Sequence, residues 1–254
     1  MAGAIPTPMS RPTIQWPAGP DCPLTIPGTV DVWGTDLDAC AVDLPLLEAI
    51  LSAEERARAA RFVRDQDRRR WTAATAQLRI VLSRYLRTAP SDLRFRRGLE
   101  GKPSLDGLGA LRFNMSHSGG IALYAVTSDA EVGIDVESVR ALPDLHGVAQ
   151  RFFSPGELDD LRGLPPELAP VAFYYGWTRK EAVLKATGQG IGGSTASFDV
   201  TLAPGVPPKV LRGPRLRVHP SQWSLFHLEP ARGAVGALAV QRPGMRIRQW
   251  RIPE

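Results

Sequence analysis

Cysteine is scarce in this sequence: Cys22 and Cys40 are the only two in 254 residues. They could pair, but nothing else suggests a disulfide framework, and no cysteine–histidine cluster has the spacing of a zinc site. Missing too is any apolar run near the roughly 20 residues that span a bilayer. Met1 to Arg11 lacks the basic start and apolar core of a secretory signal. These absences argue against a disulfide scaffold, a zinc module and a membrane-spanning protein, and they make the cytoplasm the expected compartment.

Hydrophobic residues make up 43% of the chain and charged residues 22%, as in ordinary soluble globular proteins. The length suits one large domain or two small ones, enough to bury a core without staples. The formal net charge is +5 and the pI about 9.6, which favours anionic partners. Seven arginines lie between Arg56 and Arg70.

Residues 1–28 are rich in proline and aperiodic, and read as a flexible or draped arm. Thr29 to Asp36 alternates as a short strand. Ser52 and Glu55 fit a capping box ahead of the arginine-rich helix. A second helix, open to being continuous with the first, carries the stripe Trp71, Ala74, Leu78, Val81/Leu82 and Tyr85; Pro90 closes it. Gly98 to Gly109 reads as a loop. Strands follow over 111–115, 121–127 and 131–137, the last two as a hairpin around Ser128-Asp129. A short helix or two carries Phe152-Phe153. A longer helix begins near Pro170 and ends at Gly188. Strands 197–202, 216–218, 222–229, 233–241 and 245–250 complete the chain. The pairs 121–136 and 223–240 echo one another, so the predicted fold is α+β, with two similar lobes of helix on antiparallel sheet and a cleft between them. The division is an arm (1–28), an N-terminal lobe (29–138) and a C-terminal lobe (139–254).

Four constellations carry chemistry. Asp135 and Glu137 alternate on one strand, so they share a face; they repel unless a cation or partner lies between them, and a solvent-facing edge or a pair of arginine partners is the plainer alternative. On the helix, Tyr174, Thr178, Glu181 and Lys185 line one face, where a simple i,i+4 salt bridge is the alternative. Together these patterns offer three carboxylates and a lysine, the setting in which magnesium bridges carboxylates to phosphates. The run from Asn114 to Gly120 places His117 in a loop of small residues suited to an anion, or to a capped turn. The arginine-rich helix is a phosphate or acidic-partner surface, or a solvated face. Phe62 and Trp71 sit at core-like spacing, which argues against nucleic-acid binding.

These pieces, in this order, resemble a known family. Gly101-Lys102-Pro103, Phe113 to Gly119, Gly133 to Glu137, Arg151 to Ser154 with Glu157, and Trp177 to Lys185 with Gly188 and Gly190 are similar to the surfactin-type, monomeric 4′-phosphopantetheinyl transferases. The resemblance spans roughly residues 50–192. It implies two pseudo-symmetric lobes with coenzyme A in the cleft. It also implies Asp135, Glu137 and Glu181 as magnesium ligands, Glu181 as general base, and Lys185 on the phosphates. His117 would contact a coenzyme A phosphate, with Ser116 beside it and Lys102 near the nucleotide. Arg58 and Arg70 fall where basic residues often stand near the 3′-phosphate. Glu55 departs from the pattern, since some members carry lysine there.

The implied reaction is attack of a carrier-protein serine on the β-phosphate of coenzyme A, releasing 3′,5′-ADP. Its demands are positioning and charge neutralisation. The expected partners are coenzyme A and an apo acyl or peptidyl carrier protein, with no nucleic acid and no membrane. The rivals are a magnesium-dependent nuclease and a basic binding module.

Overall fold

The structure is a computed structural model; it describes residues 13–40, 43–98, 101–107, 111–188, 195–213 and 219–253. The first half runs β1 (Thr29–Asp36), α1 (Leu37–Cys40), α2 (Leu44–Ile50), α3 (Ala53–Ala59), α4 (Asp65–Leu86), β2 (Phe95–Arg97), β3 (Pro103–Leu105), β4 (Arg112–Ser118) and β5 (Ile121–Thr127). The second runs β6 (Val132–Ser138), α5 (Leu145–Phe152), α6 (Pro155–Arg162), α7 (Ala169–Thr187), β7 (Asp199–Val200), β8 (Val210–Arg212), β9 (Ser224–Ala231), β10 (Ala234–Val240) and β11 (Arg246–Arg251). The α+β expectation is met, and the repeat lies deeper than two echoing hairpins. Each half is a strand, short helices, one long helix, a two-stranded ribbon and a hairpin. In each, the last strand of the hairpin pairs antiparallel with the first strand: β5 with β1, and β10 with β6.

The hairpin expected around Ser128-Asp129 is not formed. β5 pairs instead with β4 about Gly119, which takes φ +58°, and β5 and β6 lie in different sheets, ordered β11-β1-β5-β4 and β6-β10-β9. The turn-forming residues at 128–130 make a crossing between sheets. Asp129 holds it by accepting from the Gly28 amide and pairing with Arg242 at 2.9 Å. Ile134 and Val136 share one buried cluster with Val30, Val32, Ile121 and Leu123 of the first sheet and with Leu228 and Leu238 of the second, so β6 pairs within the second sheet while its apolar side chains pack against the first.

The division expected at residue 138 does not follow the sheets either. β6 opens the second sheet, and β11 returns to lie parallel to β1 in the first. The expected loop 98–109 contains β3, paired with β2. The strand expected at 197–202 shrinks to β7, whose partner β8 has no clear alternation in sequence. The strand expected at 216–218, with Gly109 and Gly190, lies outside the described residues. Arm residues 13–28 are draped: Ile14 is buried, and Ala18 bridges β11 at Arg251.

The arginine-rich stretch is two helices, parted at 60–64. Both α3 and α6 open with a capping box, Ser52/Glu55 and Ser154/Glu157. Each box glutamate also receives a buried cation from the long helix that follows. Arg79 of α4 donates to Glu55 at 2.8 Å and to the carbonyls of Pro90 and Leu93. Lys180 of α7 donates to Glu157 at 2.7 Å, both side chains 1% exposed, and to the Phe198 carbonyl. Each cation thus ties a short helix to a long one and to the segment beyond it. Glu55, which departs from the family pattern, carries this structural role here.

Removing one partner of a buried pair strands the other charge. Lys180→Ala is expected to cost about 3–5 kcal/mol. Arg68→Ala, which breaks an exposed pair with Asp65, should leave stability almost unchanged. Urea midpoints for the two variants check the contrast; equal shifts would remove the structural role given to Lys180.

Candidate active site

The site forms where β4 of the first sheet meets β6 of the second. No backbone ladder joins these strands among the described residues; side chains stitch the seam instead. Asn114 Oδ1 accepts from the Ile134 amide at 3.0 Å. Ser116 Oγ donates to Asp135 Oδ1 at 2.8 Å. Ser118 Oγ donates to Glu137 Oε2 at 2.8 Å. Residues 114, 116 and 118 alternate, so they share the face of β4 that meets β6. Ile134 and Val136, on the opposite side of β6, are buried in the core.

Helix α7 crosses β6 at Gly133 in direct backbone contact. A Cβ there would stand 2.0 Å from the Ala182 carbonyl oxygen and 2.3 Å from the Ala186 nitrogen. The contact brings Glu181 and Lys185 over the strand. Lys185 Nζ lies 2.6 Å from Asp135 Oδ1 and 2.9 Å from Ser116 Oγ. It binds across to the strand, and the i,i+4 bridge to Glu181 is not formed.

Two buried oxygens in this cluster lack hydrogen-bond partners, Asp135 Oδ2 and Glu181 Oε1. Burial, then the charge of Asp135, pushes Glu181 up to about 7 against the opposing pull of Lys185. Burial also raises Glu137, while Ser118 hydrogen-bonds its charged form. His117 is exposed on the seam's rim, yet its recess strips enough solvent to lower its pKa, and Lys185 and Arg58 add to the effect. No three His, Cys, Asp or Glu side chains form a ready-made metal cage among the described residues. The donor set nevertheless fits a hard cation: three convergent carboxylates, two bare buried oxygens, and repulsion that a positive ion would relieve.

The residues expected on the nucleotide side divide. Arg58 lies over Trp71, its guanidinium carbon 5.6 Å from the ring centroid, and lines a cavity of about 760 Å³ with His117, Arg94 and Arg97. Arg70 does not line that cavity: it is locked to Asp38 by two hydrogen bonds of 2.8 and 2.6 Å. Lys102 does not enter the acid cluster. Its Nζ donates to Glu131 at 2.7 Å and to the carbonyls of Val132 and Ala186 at 3.1 and 3.0 Å. It therefore caps the C-terminal end of α7. Sequence reasoning passed over Ser118, whose place two residues after Ser116 was the available signal.

Two family models divide the chain between them. The 4′-phosphopantetheinyl transferase superfamily matches residues 131–239, and the 4′-phosphopantetheinyl transferase N-terminal region matches residues 38–129. A curated relative, 4′-phosphopantetheinyl transferase HetI of Nostoc sp., is 40% identical over 224 residues, covering 87% of this chain and 91% of its own. This chain belongs to the 4′-phosphopantetheinyl transferase superfamily. The transferase also resembles the Sfp enzyme of Bacillus subtilis strain 168, 34% identical over 154 residues, or 61% of this chain and 67% of that one. A protein of Synechocystis sp. named as a putative 4′-phosphopantetheinyl transferase is 40% identical over 159 residues, covering 61% and 65%.

Lys102 generates a prediction that separates support from catalysis. Its side chain is 18% exposed, and its ammonium satisfies two carbonyls besides Glu131. Lys102→Ala should lower transferase stability by about 1.5–3 kcal/mol, the scale of a hydrogen bond to a charged group. Thermal unfolding measures this. A stable Lys102→Ala protein with weakened coenzyme A binding would instead return the residue to the nucleotide.

Proposed function

We propose that the transferase moves the 4′-phosphopantetheine arm of coenzyme A to a serine of an apo acyl or peptidyl carrier protein, with magnesium held by Asp135, Glu137 and Glu181. The carrying observation is the cluster itself: three carboxylates on two elements, one anchored by Lys185, with two buried oxygens bare. Magnesium prefers a few carboxylates plus phosphate and water over an all-protein cage, in keeping with an open donor set. When bound, it would neutralise charge on the pyrophosphate of coenzyme A.

The chain's own residues divide the remaining work. Lys185 offers a positive charge to the phosphates. Ser116 and Ser118 orient Asp135 and Glu137. Glu181 accepts the proton of the attacking serine, as a carboxylate held beside the place where the phosphates would lie. A bond forms between the serine oxygen and the β-phosphorus, and the bond from that phosphorus to the oxygen bridging to the α-phosphate breaks. The departing 3′,5′-ADP keeps the electron pair. The nuclease reading has no comparable support, since the relatives are named for phosphopantetheine transfer. One chain supplies both walls of the site, which favours a working monomer. No helix among the described residues is long and apolar enough to cross a membrane.

Asp135→Ala removes a cation ligand and the anchor of Lys185 together, so transfer to an apo carrier should vanish; mass spectrometry of the carrier reads the added arm. Normal turnover in the folded variant would sink the metal assignment.

Glu181→Gln keeps shape and one ligand oxygen but not the base. Coenzyme A and magnesium should bind within about tenfold of the parent, a difference of about 1.4 kcal/mol. The rate should fall by about 10² or more, in kcat rather than in binding. Calorimetry beside single-turnover transfer decides: collapse of both would make Glu181 chiefly a ligand, and survival of both would remove it from the mechanism.

A further inference from the structure

Helix α4 carries a buried amide whose oxygen its own packing leaves unused. Gln77 is 8% exposed and shares the helix with the fully buried Ala73, Ala76 and Val81, yet its Oε1 has no hydrogen-bond partner. A buried acceptor left bare costs stability unless something donates to it. Gln77 lines a recess of about 450 Å³, within the size range of small-molecule sites. The end of β1, α1, α4 and the segment after β11 enclose this recess, and none of its lining residues belongs to the acid cluster. Two carboxylates line it, Asp36 and Asp43, against one guanidinium, Arg251. None of these three forms an ion pair among the described residues. The Cys40 thiol lines the same recess. Burial, more than any other cause, pushes it up to about 11, so it stays protonated at physiological pH and is a poor nucleophile. Whatever enters is therefore held without a covalent bond.

We propose that this recess is a second binding site, apart from the transfer site, for a small molecule that carries a primary ammonium on a short apolar chain. The ammonium supplies the N–H that Gln77 Oε1 lacks, and the two carboxylates match its charge. Asp36 and Gln77 both lie beside the Cys40 thiol, close enough for each to act on it, so acid and amide converge on one spot. The Asp36 carboxylate is held in place through Oδ1, which accepts from the amides of Asp38 and Ala39 at 2.9 and 3.3 Å. Ile14, Ala39 and Ile252 line the same recess and give a few methylenes an apolar wall. An anion fits poorly here, since two acids outweigh Arg251 and a bare amide oxygen repels it. Arg251 suits a carboxylate at the far end of the same molecule. A simple amine and an amino acid thus share the recognised chemistry and differ only at that arginine.

The test titrates the full chain with four probes, hexylamine, ε-aminocaproate, hexanoate and hexanol, read by saturation-transfer NMR. The two ammonium probes should bind, and hexanoate and hexanol should not. Tighter binding of ε-aminocaproate identifies an amino acid with its carboxylate on Arg251; equal or weaker binding identifies a simple amine. Gln77→Met keeps the length and removes the acceptor. It should weaken the ammonium probes by about tenfold or more, the scale of a hydrogen bond to a charged group. Asp43 is exposed, so Asp43→Asn leaves the packing alone and keeps the test alive where Gln77→Met fails to fold; it should weaken both probes by about two- to fivefold. Transfer to an apo carrier should run at the parent's rate in Asp43→Asn. Hexanol binding as tightly as hexylamine overturns the site, as does ammonium binding that the variants leave unchanged. So does the failure of every probe at millimolar concentration, which makes the recess a pocket for water only. Loss of transfer in folded Asp43→Asn would make the recess part of the transfer site and overturn its independence.

Discussion

The approach of α7 to β6 governs this molecule. At Gly133 the helix backbone touches the strand backbone, and any side chain there would push the two apart. Glu181 and Lys185 come from the helix, Asp135 and Glu137 from the strand. Their convergence is therefore set by a contact that contains no functional group. The cost of assembling three acids and a lysine in a half-buried place is borne by the packing of Ala182, Val183, Leu184 and Ala186 and by the Glu157–Lys180 pair that fixes the helix against its neighbours.

The repeat explains why there is one site and not two. Arg79 and Lys180 play the same part in the two halves, each joining a long helix to the capping box before it. Five residues on from each stands another cation, Arg84 and Lys185. Lys185 meets Asp135 on β6, the first strand of its half. Arg84 stands over Trp33 on β1, the first strand of the other half, 5.7 Å from the ring. Trp33 is itself packed by Trp250 of β11 and hydrogen-bonded to Tyr85. What is a polar seam in one half is filled with indole in the other, and β11 occupies the edge that a second strand pair would need.

Much of this was legible in the sequence because it is local. The capping box at Ser52, the bounds of β1 and the end of α7 at Gly188 depend on neighbours within a few residues. The alternation of Asp135 and Glu137 and the helical spacing of Glu181 and Lys185 put these four on two faces, which the fold brings together. What failed was non-local. A turn signal at Ser128-Asp129 reads the same whether the chain doubles back or crosses to another sheet. Arg70 and Lys102 have the charge that a nucleotide needs. Only the fold shows that Arg70 pairs with Asp38 and that Lys102 lies against Glu131 and the end of α7.

The parallel pairing of β11 with β1 also orders events in time. Its side chain Arg248 reaches Asp31 at 2.6 Å across a separation of 217 residues. As the chain is synthesised, β1, β5 and β4 emerge early, but their sheet keeps an open edge beside β1 until residues 246–251 have been made. The first lobe is thus the last to be finished, and the two halves cannot be exchanged between relatives as independent modules without carrying that final strand along.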